Sequence, residues 1–210
     1  MRDAAPTGAL PVPSELPGDA GTVLLPLARG AIAAALGVTP PGPGETGGGP
    51  AALPAWVLAP GAAFVTLTQD GRLRGCIGSL VATRALADDV RSNAVAAALH
   101  DPRFARLRPD ELAWTRVEVS VLSAPRPLPL ASSSLAAAAS ALRPGVDGVI
   151  LEAGAWHRAT YLPQVWEQLP DPVAFLRQLL VKAGLRPEHW DAEVRLSTYT
   201  VRAWQEAEPR

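Results

Sequence analysis

One cysteine among 210 residues leaves no partner for an intramolecular disulfide. That thiol and three scattered histidines fall short of a structural zinc site, so no metal and no cofactor is expected. Lys182 is the only lysine, so the other eighteen of the nineteen basic residues are arginine, a bias that a GC-rich genome explains. Twenty acidic residues balance them to a formal net charge of −1, with no basic excess for avid nucleic-acid or membrane binding. The longest apolar runs, such as Val95 to Leu99, are too short to span a bilayer. The N-terminal run lacks an apolar stretch of signal-peptide length, which makes the cytoplasm the expected location. What is present suffices for a core: 48% of residues are hydrophobic and mean hydropathy is +0.13. The length fits one domain or two closely packed subdomains.

Composition divides the chain. Residues 1–21, rich in proline and glycine, read as a flexible N-terminal arm, residues 39–54 as a proline- and glycine-rich surface loop, and 207–210 as a tail. Between them, Thr22 to Leu36 has helical spacing with Gly37 as its cap, and Pro26 argues for a start no earlier than itself. Ala63, Val65 and Leu67 alternate with Phe64, Thr66 and Thr68 ahead of Asp70-Gly71, a hairpin dipeptide, and Arg72 to Leu80 returns. Thr83 to His100 reads as a long helix with Leu86, Val90, Ala94 and Ala97 on one face. Pro109 opens a short helix, Val117, Val119 and Val121 mark a strand, and Ser132 to Leu142 a further helix. Gly148 to Ala153 and Trp156 to Leu162 form a second hairpin. Asp171-Pro172 supplies an N-cap and a first-turn proline for a helix closed by Gly184. Val194 to Trp204 is one last strand, bent near Ser197-Thr198. The class is α+β, with an antiparallel sheet and flanking helices.

The segment RGCIG carries the only thiol. Strand alternation puts Arg72, Arg74, Cys76 and Gly78 on one face, where two guanidinium groups favour the thiolate and make Cys76 a candidate nucleophile. The glycines lower the walls around the sulfur. The alternative stays open: a small buried cysteine in a strand that needs glycine for close packing. His100 fits a helix-end cap, His189 surface packing, and His157 is a conceivable base for Cys76. Tyr161 and Gln164, with Trp166, are of the types that line ligand pockets, or else anchor a short helix.

The run FVTLTQDGRLRGCIGSL, followed by DPRF (Asp101 to Phe104), Glu111-Leu112 and EVSVLS (Glu118 to Ser123), resembles the AMMECR-type domain family. So does GVILEAGAWHRATYLPQVW, within Gly148 to Leu185. The resemblance spans roughly residues 22–206 and points to the bacterial branch called AmmeMemoRadiSam system protein A. It implies a larger and a smaller subdomain around a cleft lined by RGCIG. It also implies company: a Memo-like protein, similar to extradiol dioxygenases, and a radical SAM protein. On that footing the expected function is to bind or modify a small anionic or nucleotide-like substrate. Cys76 would be the catalytic thiol, Arg74 the anion ligand projecting into the cleft, and Gly75, Ile77, Gly78, Asp101, Arg103, Tyr161 and Gln164 further binding residues. The alternative is a non-catalytic adaptor that offers the same cleft to a partner protein or to RNA, the latter not favoured by the near-neutral charge.

Overall fold

The computed structural model describes residues 16–38, 52–129 and 134–207. The chain is α+β with two antiparallel four-stranded sheets, where the sequence suggested one. It forms two compact units, Met1–Leu122 with Arg202–Arg210, and Ser123–Val201. Among the described residues no helix is long and apolar enough to cross a membrane.

In the first unit, helix α1 (Gly21–Ala35) starts five residues before Pro26 and accommodates it internally. A proline this near the N-terminus removes one helical hydrogen bond, and its fixed φ already suits the helix. Leu24, Ala28 and Ile32 are fully buried along one face. Gly37, at φ +68°, ends the helix by turning the chain left-handed so that the Val38 N–H reaches the Ala33 carbonyl. Of the expected arm, residues 1–15 lie outside the described residues, as do 39–51 of the loop and 208–210 of the tail. Leu16 to Gly18 are tied down: Arg202 donates to the Leu16 carbonyl at 2.6 Å and the Trp204 indole to that of Gly18 at 3.1 Å.

After a single helical turn, α2 (Ala55–Leu58), strands β1 (Ala62–Gln69) and β2 (Arg72–Gly78) form the expected hairpin. Asp70 and Gly71 both take positive φ, the geometry of a two-residue turn matched to strand twist. Helix α3 (Leu86–Leu99) begins three residues later than its apolar spacing suggested, because Ala85 is extended and bridges Pro60 while the Arg84 carbonyl accepts the Gly61 N–H. A 3-10 helix over Pro109–Trp114 leads into β3 (Arg116–Leu122). Helices α1 and α3 pack on the sheet face that carries Val65, Leu67, Val117, Val119 and Val121, all essentially solvent-free. Removing a methylene of this kind from water is worth about 0.8 kcal/mol, so this face holds the unit together.

The second unit contains β4 (Arg126–Pro127), α4 (Leu135–Ser140), the hairpin β5 (Gly148–Ala153) and β6 (His157–Tyr161), α5 (Pro172–Lys182) and β7 (Val194–Tyr199). Its sheet runs β4-β7-β5-β6 and packs Val149, Leu151 and Leu196 against Phe175, Leu176, Leu179 and Leu180. The Asp171 carboxylate caps α5 by accepting the Ala174 N–H at 2.7 Å. Helix α4 covers only part of the stretch expected from Ser132 to Leu142; residues 130–133 are outside the described ones. The last strand is two: β7 belongs to this sheet, and β8 (Val201–Gln205) lies beside β3 in the first. The break falls at Thr200 rather than Ser197-Thr198. There the backbone leaves both ladders, exchanging hydrogen bonds with Ser123 through its N–H (to Oγ, 3.0 Å) and its carbonyl (from N–H, 2.9 Å).

Candidate functional site

β2 is an edge strand, and its outer backbone groups need partners. Cys76 finds them in side chains of the DPRF turn. Asp101 Oδ2 accepts the Cys76 N–H at 2.9 Å, and Arg103 donates to the Cys76 carbonyl at 3.0 Å. The two side chains are themselves paired, at 2.7 Å and 2.9 Å, so carboxylate and guanidinium together substitute for a neighbouring strand. Asp101 is buried, and the hydrogen bonds from Arg103 outweigh its desolvation, holding its carboxyl well below the usual carboxylate range. Arg103 is correspondingly pushed up, first by Asp101, with Cys76 among the smaller causes. RGCIG and DPRF are therefore two halves of one clamp, a contact that neither motif announces alone.

Strict alternation along β2 does not hold. Leu67 pairs with Gly75 and Thr68 with Leu73, so Arg74 is the extra residue of a β-bulge. Below the bulge the phase inverts: Leu73 joins the face of Cys76, and Arg72 moves to the other. The expected Arg72-Arg74-Cys76-Gly78 face does not form. Arg74 turns instead to the loop, donating to the Ala105 carbonyl at 2.7 Å, to that of Arg106 at 3.3 Å, and to Glu111 at 3.3 Å. Its side chain is only 14% exposed. Burial opposes ionisation of Glu111, but the Arg108 N–H and the Arg74 guanidinium hold its carboxyl below its ordinary value.

The glycines serve packing. A β-carbon on Gly75 would stand 2.2 Å from the Ala97 carbonyl oxygen of α3, and one on Gly78 would stand 2.2 Å from the Phe64 ring. Neither leaves an open wall beside the sulfur. Ile77 points to the helical core, where it is partly buried. Cys76 points to the opposite face and is half-buried, with Thr66 Oγ1 donating to its Sγ at 3.4 Å. Thr66 is also the register partner of Glu118, so thiol, hydroxyl and carboxylate form a row across β2, β1 and β3. Phe64 lies in the next row between Gly78 and Ser120. Glu118 and Thr66 were not singled out from the sequence; period-2 spacing of EVSVLS and FVTLT places them away from the core but gives no cross-strand register.

A buried polar network also escaped the sequence. Asp89 on α3 accepts from the Ala63 N–H, Ser79 Oγ, Arg84 and Asn93, all within 2.9 Å, and Asn93 reaches the Ala63 carbonyl. It fastens the far ends of β1 and β2 to the helix.

Tyr161 and Gln164 belong to the second unit. Tyr161 packs edge-on against Phe175 at 5.2 Å with Lys182 over its ring, while Gln164 is exposed. Trp166 anchors that segment: it stacks on Phe175 at 3.8 Å and donates to the Asp147 carbonyl at 2.7 Å. His157 Nδ1 is bonded to the Ala183 carbonyl at 2.9 Å, His100 caps α3, and His189 lies 3.2 Å from Asp191. Among the described residues no three His, Cys, Asp or Glu side chains gather as metal ligands.

An α+β chain with two antiparallel sheets, its RGCIG edge strand locked by a downstream DPRF turn, defines a class that comparison with known proteins identifies. The chain belongs to the AMMECR1 family, which matches residues 25–204. It is 42% identical over 145 residues to a protein of Methanothermobacter thermautotrophicus, covering 68% of this chain and 74% of that one. A protein of Thermotoga maritima is 41% identical over 145 residues, 68% of this chain and 76% of its own. The crystal structure of the uncharacterized protein PH0010 from Pyrococcus horikoshii superposes with a TM-score of 0.74 at 30% identity, covering 93% of this chain and 95% of that one.

Proposed function

We propose that the chain is the AMMECR-type component of a Memo-like and radical SAM modification system, and that it binds or modifies a small substrate at Cys76. The observation that carries this reading is the row Cys76, Thr66, Glu118. A half-buried thiol beside a hydroxyl donor, with a carboxylate in the same row two strands away, combines a nucleophile with polar groups that could orient a substrate. The rigid Asp101–Arg103 clamp on the backbone of Cys76 supports it, because a reacting sulfur needs a fixed position.

An anionic or nucleotide-like substrate draws less support. The two cations expected to bind it, Arg74 and Arg103, are engaged by Glu111, Asp101 and three backbone carbonyls. The same fact favours a second reading, a non-catalytic adaptor, since RGCIG and DPRF bind one another and so stabilise a shape. Metabolite levels in a deletion strain and in a Cys76→Ser strain separate the two. The catalytic reading expects the serine strain to accumulate or lose the same compounds as the deletion. A serine strain that matches wild type while the deletion differs leaves only the adaptor.

A further inference from the structure

We infer that β8 is exchangeable between two copies of the chain, the C-terminal strand of one completing the first sheet of the other through Arg202, Trp204 and Glu206. Strand β8 returns to the first sheet after the chain has built the second unit, and the single residue Thr200 links it to β7. Its docking is specified by side chains at alternating positions. Arg202 donates to the Leu16 carbonyl at 2.6 Å. Trp204 donates to that of Gly18 at 3.1 Å, and packs so closely on Gly21 that a β-carbon there would stand 2.7 Å from its ring. Glu206, just past the strand, accepts from Arg29 Nε and Nη2 of α1 at 2.5 Å each and from the Val117 N–H at 2.9 Å. Its own N–H donates to the Val117 carbonyl at 3.0 Å.

Leu16, Gly18, Gly21, Arg29 and Val117 all belong to the first unit. They recognise the strand itself, whichever copy supplies it. Thr200 stands outside both ladders, held by its two hydrogen bonds with Ser123. Extending it would run β7 into β8 as one strand, as the sequence reads from Val194 to Trp204, and release β8 from its own sheet. Reciprocal exchange between two copies then regains every anchor in trans and closes on itself as a two-fold dimer. Short links invite this outcome, because closure within one chain leaves them no slack. The edge of β3 needs such a strand, since without one its backbone groups stand unpaired.

The contact of Gly21 with Trp204 supplies the test. A β-carbon at position 21 would stand 2.8 Å from that of Trp204, a gap that a disulfide spans after widening by about 1 Å. Cys76→Ser removes the only native thiol. In that background one chain carries Gly21→Cys, which collides with its own Trp204, and another carries Trp204→Cys, which leaves room. The two are refolded together from urea at high concentration and then oxidised with diamide. Exchange predicts a covalent dimer of twice 21.9 kDa that joins one chain of each kind, well above the random pairing ratio in mass spectra. A chain with both substitutions should close the bond internally when dilute, which verifies the geometry. Random pairing, or no dimer while that control closes, overturns the proposal. Deleting Thr200 from the natural chain carries the test if the control does not close. Light scattering should then give a folded dimer, and a folded monomer, or a chain that no longer folds, overturns it.

Discussion

Asp101 holds Cys76 by its main chain, accepting its N–H at 2.9 Å, while Arg103, paired to Asp101, takes the carbonyl of the same residue. An exposed strand edge is thereby closed by two side chains rather than by a strand. The arrangement fixes the thiol's position through its backbone and leaves its side chain on the sheet face turned away from the helices. It also makes the stability of the edge depend on the ionisation of one carboxyl.

That dependence has a sign. The folded-state carboxyl of Asp101 titrates below its unfolded value, chiefly because Arg103 hydrogen-bonds the ionised form. Its contribution is therefore present in full above the ordinary carboxylate range and is lost as pH falls through that range towards the depressed folded value. Asp101→Asn should cost about 2 kcal/mol at pH 7, the scale of hydrogen bonds to a charged group. The deficit should shrink below about pH 4, where unfolded aspartate begins to protonate. Urea titrations of both proteins at a series of pH values check it; a deficit that stays constant from neutral to acid pH would sink the assignment.

Arg74 is expected to matter for folding. Its guanidinium joins three groups of the 105–111 segment while the side chain is largely covered. Arg74→Ala should destabilise the chain by about 2–4 kcal/mol, since it strips partners from two carbonyls and from a partly buried carboxylate. Arg74→Lys should recover only part, because one ammonium cannot reproduce the fork. Thermal unfolding of both variants decides. A shift of a degree or less for the alanine protein would return Arg74 to the binding role that the sequence suggested.

How much could be read beforehand follows from the range of the interaction involved. Gly37, Asp70-Gly71, Asp171-Pro172 and Gly184 each act within a few residues, and each marks the turn or cap expected. The apolar spacing Leu86, Val90, Ala94, Ala97 and the alternation Val117, Val119, Val121 likewise give buried faces as expected. The bulge at Arg74 was hidden because it is a property of the pairing with β1, and one extra residue inverts every side chain beyond it. Asp89 was hidden for a similar reason. A carboxylate on a helix reads as solvent-facing, and only the convergence of Ala63, Ser79, Arg84 and Asn93 makes its burial tolerable. Thr200 looked like strand interior because both its neighbours are in strands; its partner Ser123 is 77 residues away.

The two glycines of RGCIG should differ when a methyl group is added. At Gly75 the new carbon meets the Ala97 carbonyl oxygen, a backbone atom of a helix packed into the core, at 2.2 Å. β2 and α3 must then separate, and Gly75→Ala should cost about 3 kcal/mol or more, beyond ordinary overpacking. At Gly78 the obstacle is the Phe64 ring, a side chain that can rotate away from the far face at smaller cost. Guanidinium melts of the two variants should rank them in that order.

The Asp89 network provides the strongest expected loss. Asp89 is 1% exposed and satisfies the Ala63 N–H, the Ser79 hydroxyl, Asn93 and Arg84 at once. Asp89→Ala leaves those donors without their acceptor in a place water reaches poorly, so about 3–5 kcal/mol should be lost, the scale of breaking a buried pair. Asp89→Asn keeps the shape and one acceptor oxygen but turns the other into a donor facing donors, so it should recover little. Arg84→Ala is the control. Its side chain is 41% exposed, and its pairing with Asp89 should be worth under about 1 kcal/mol. If removing Arg84 proves as damaging as removing Asp89, the ion pair is what holds this corner; if it is nearly silent, the backbone and hydroxyl hydrogen bonds are, and the end of β2 that follows Cys76 is fixed by a carboxylate acting mainly as an acceptor.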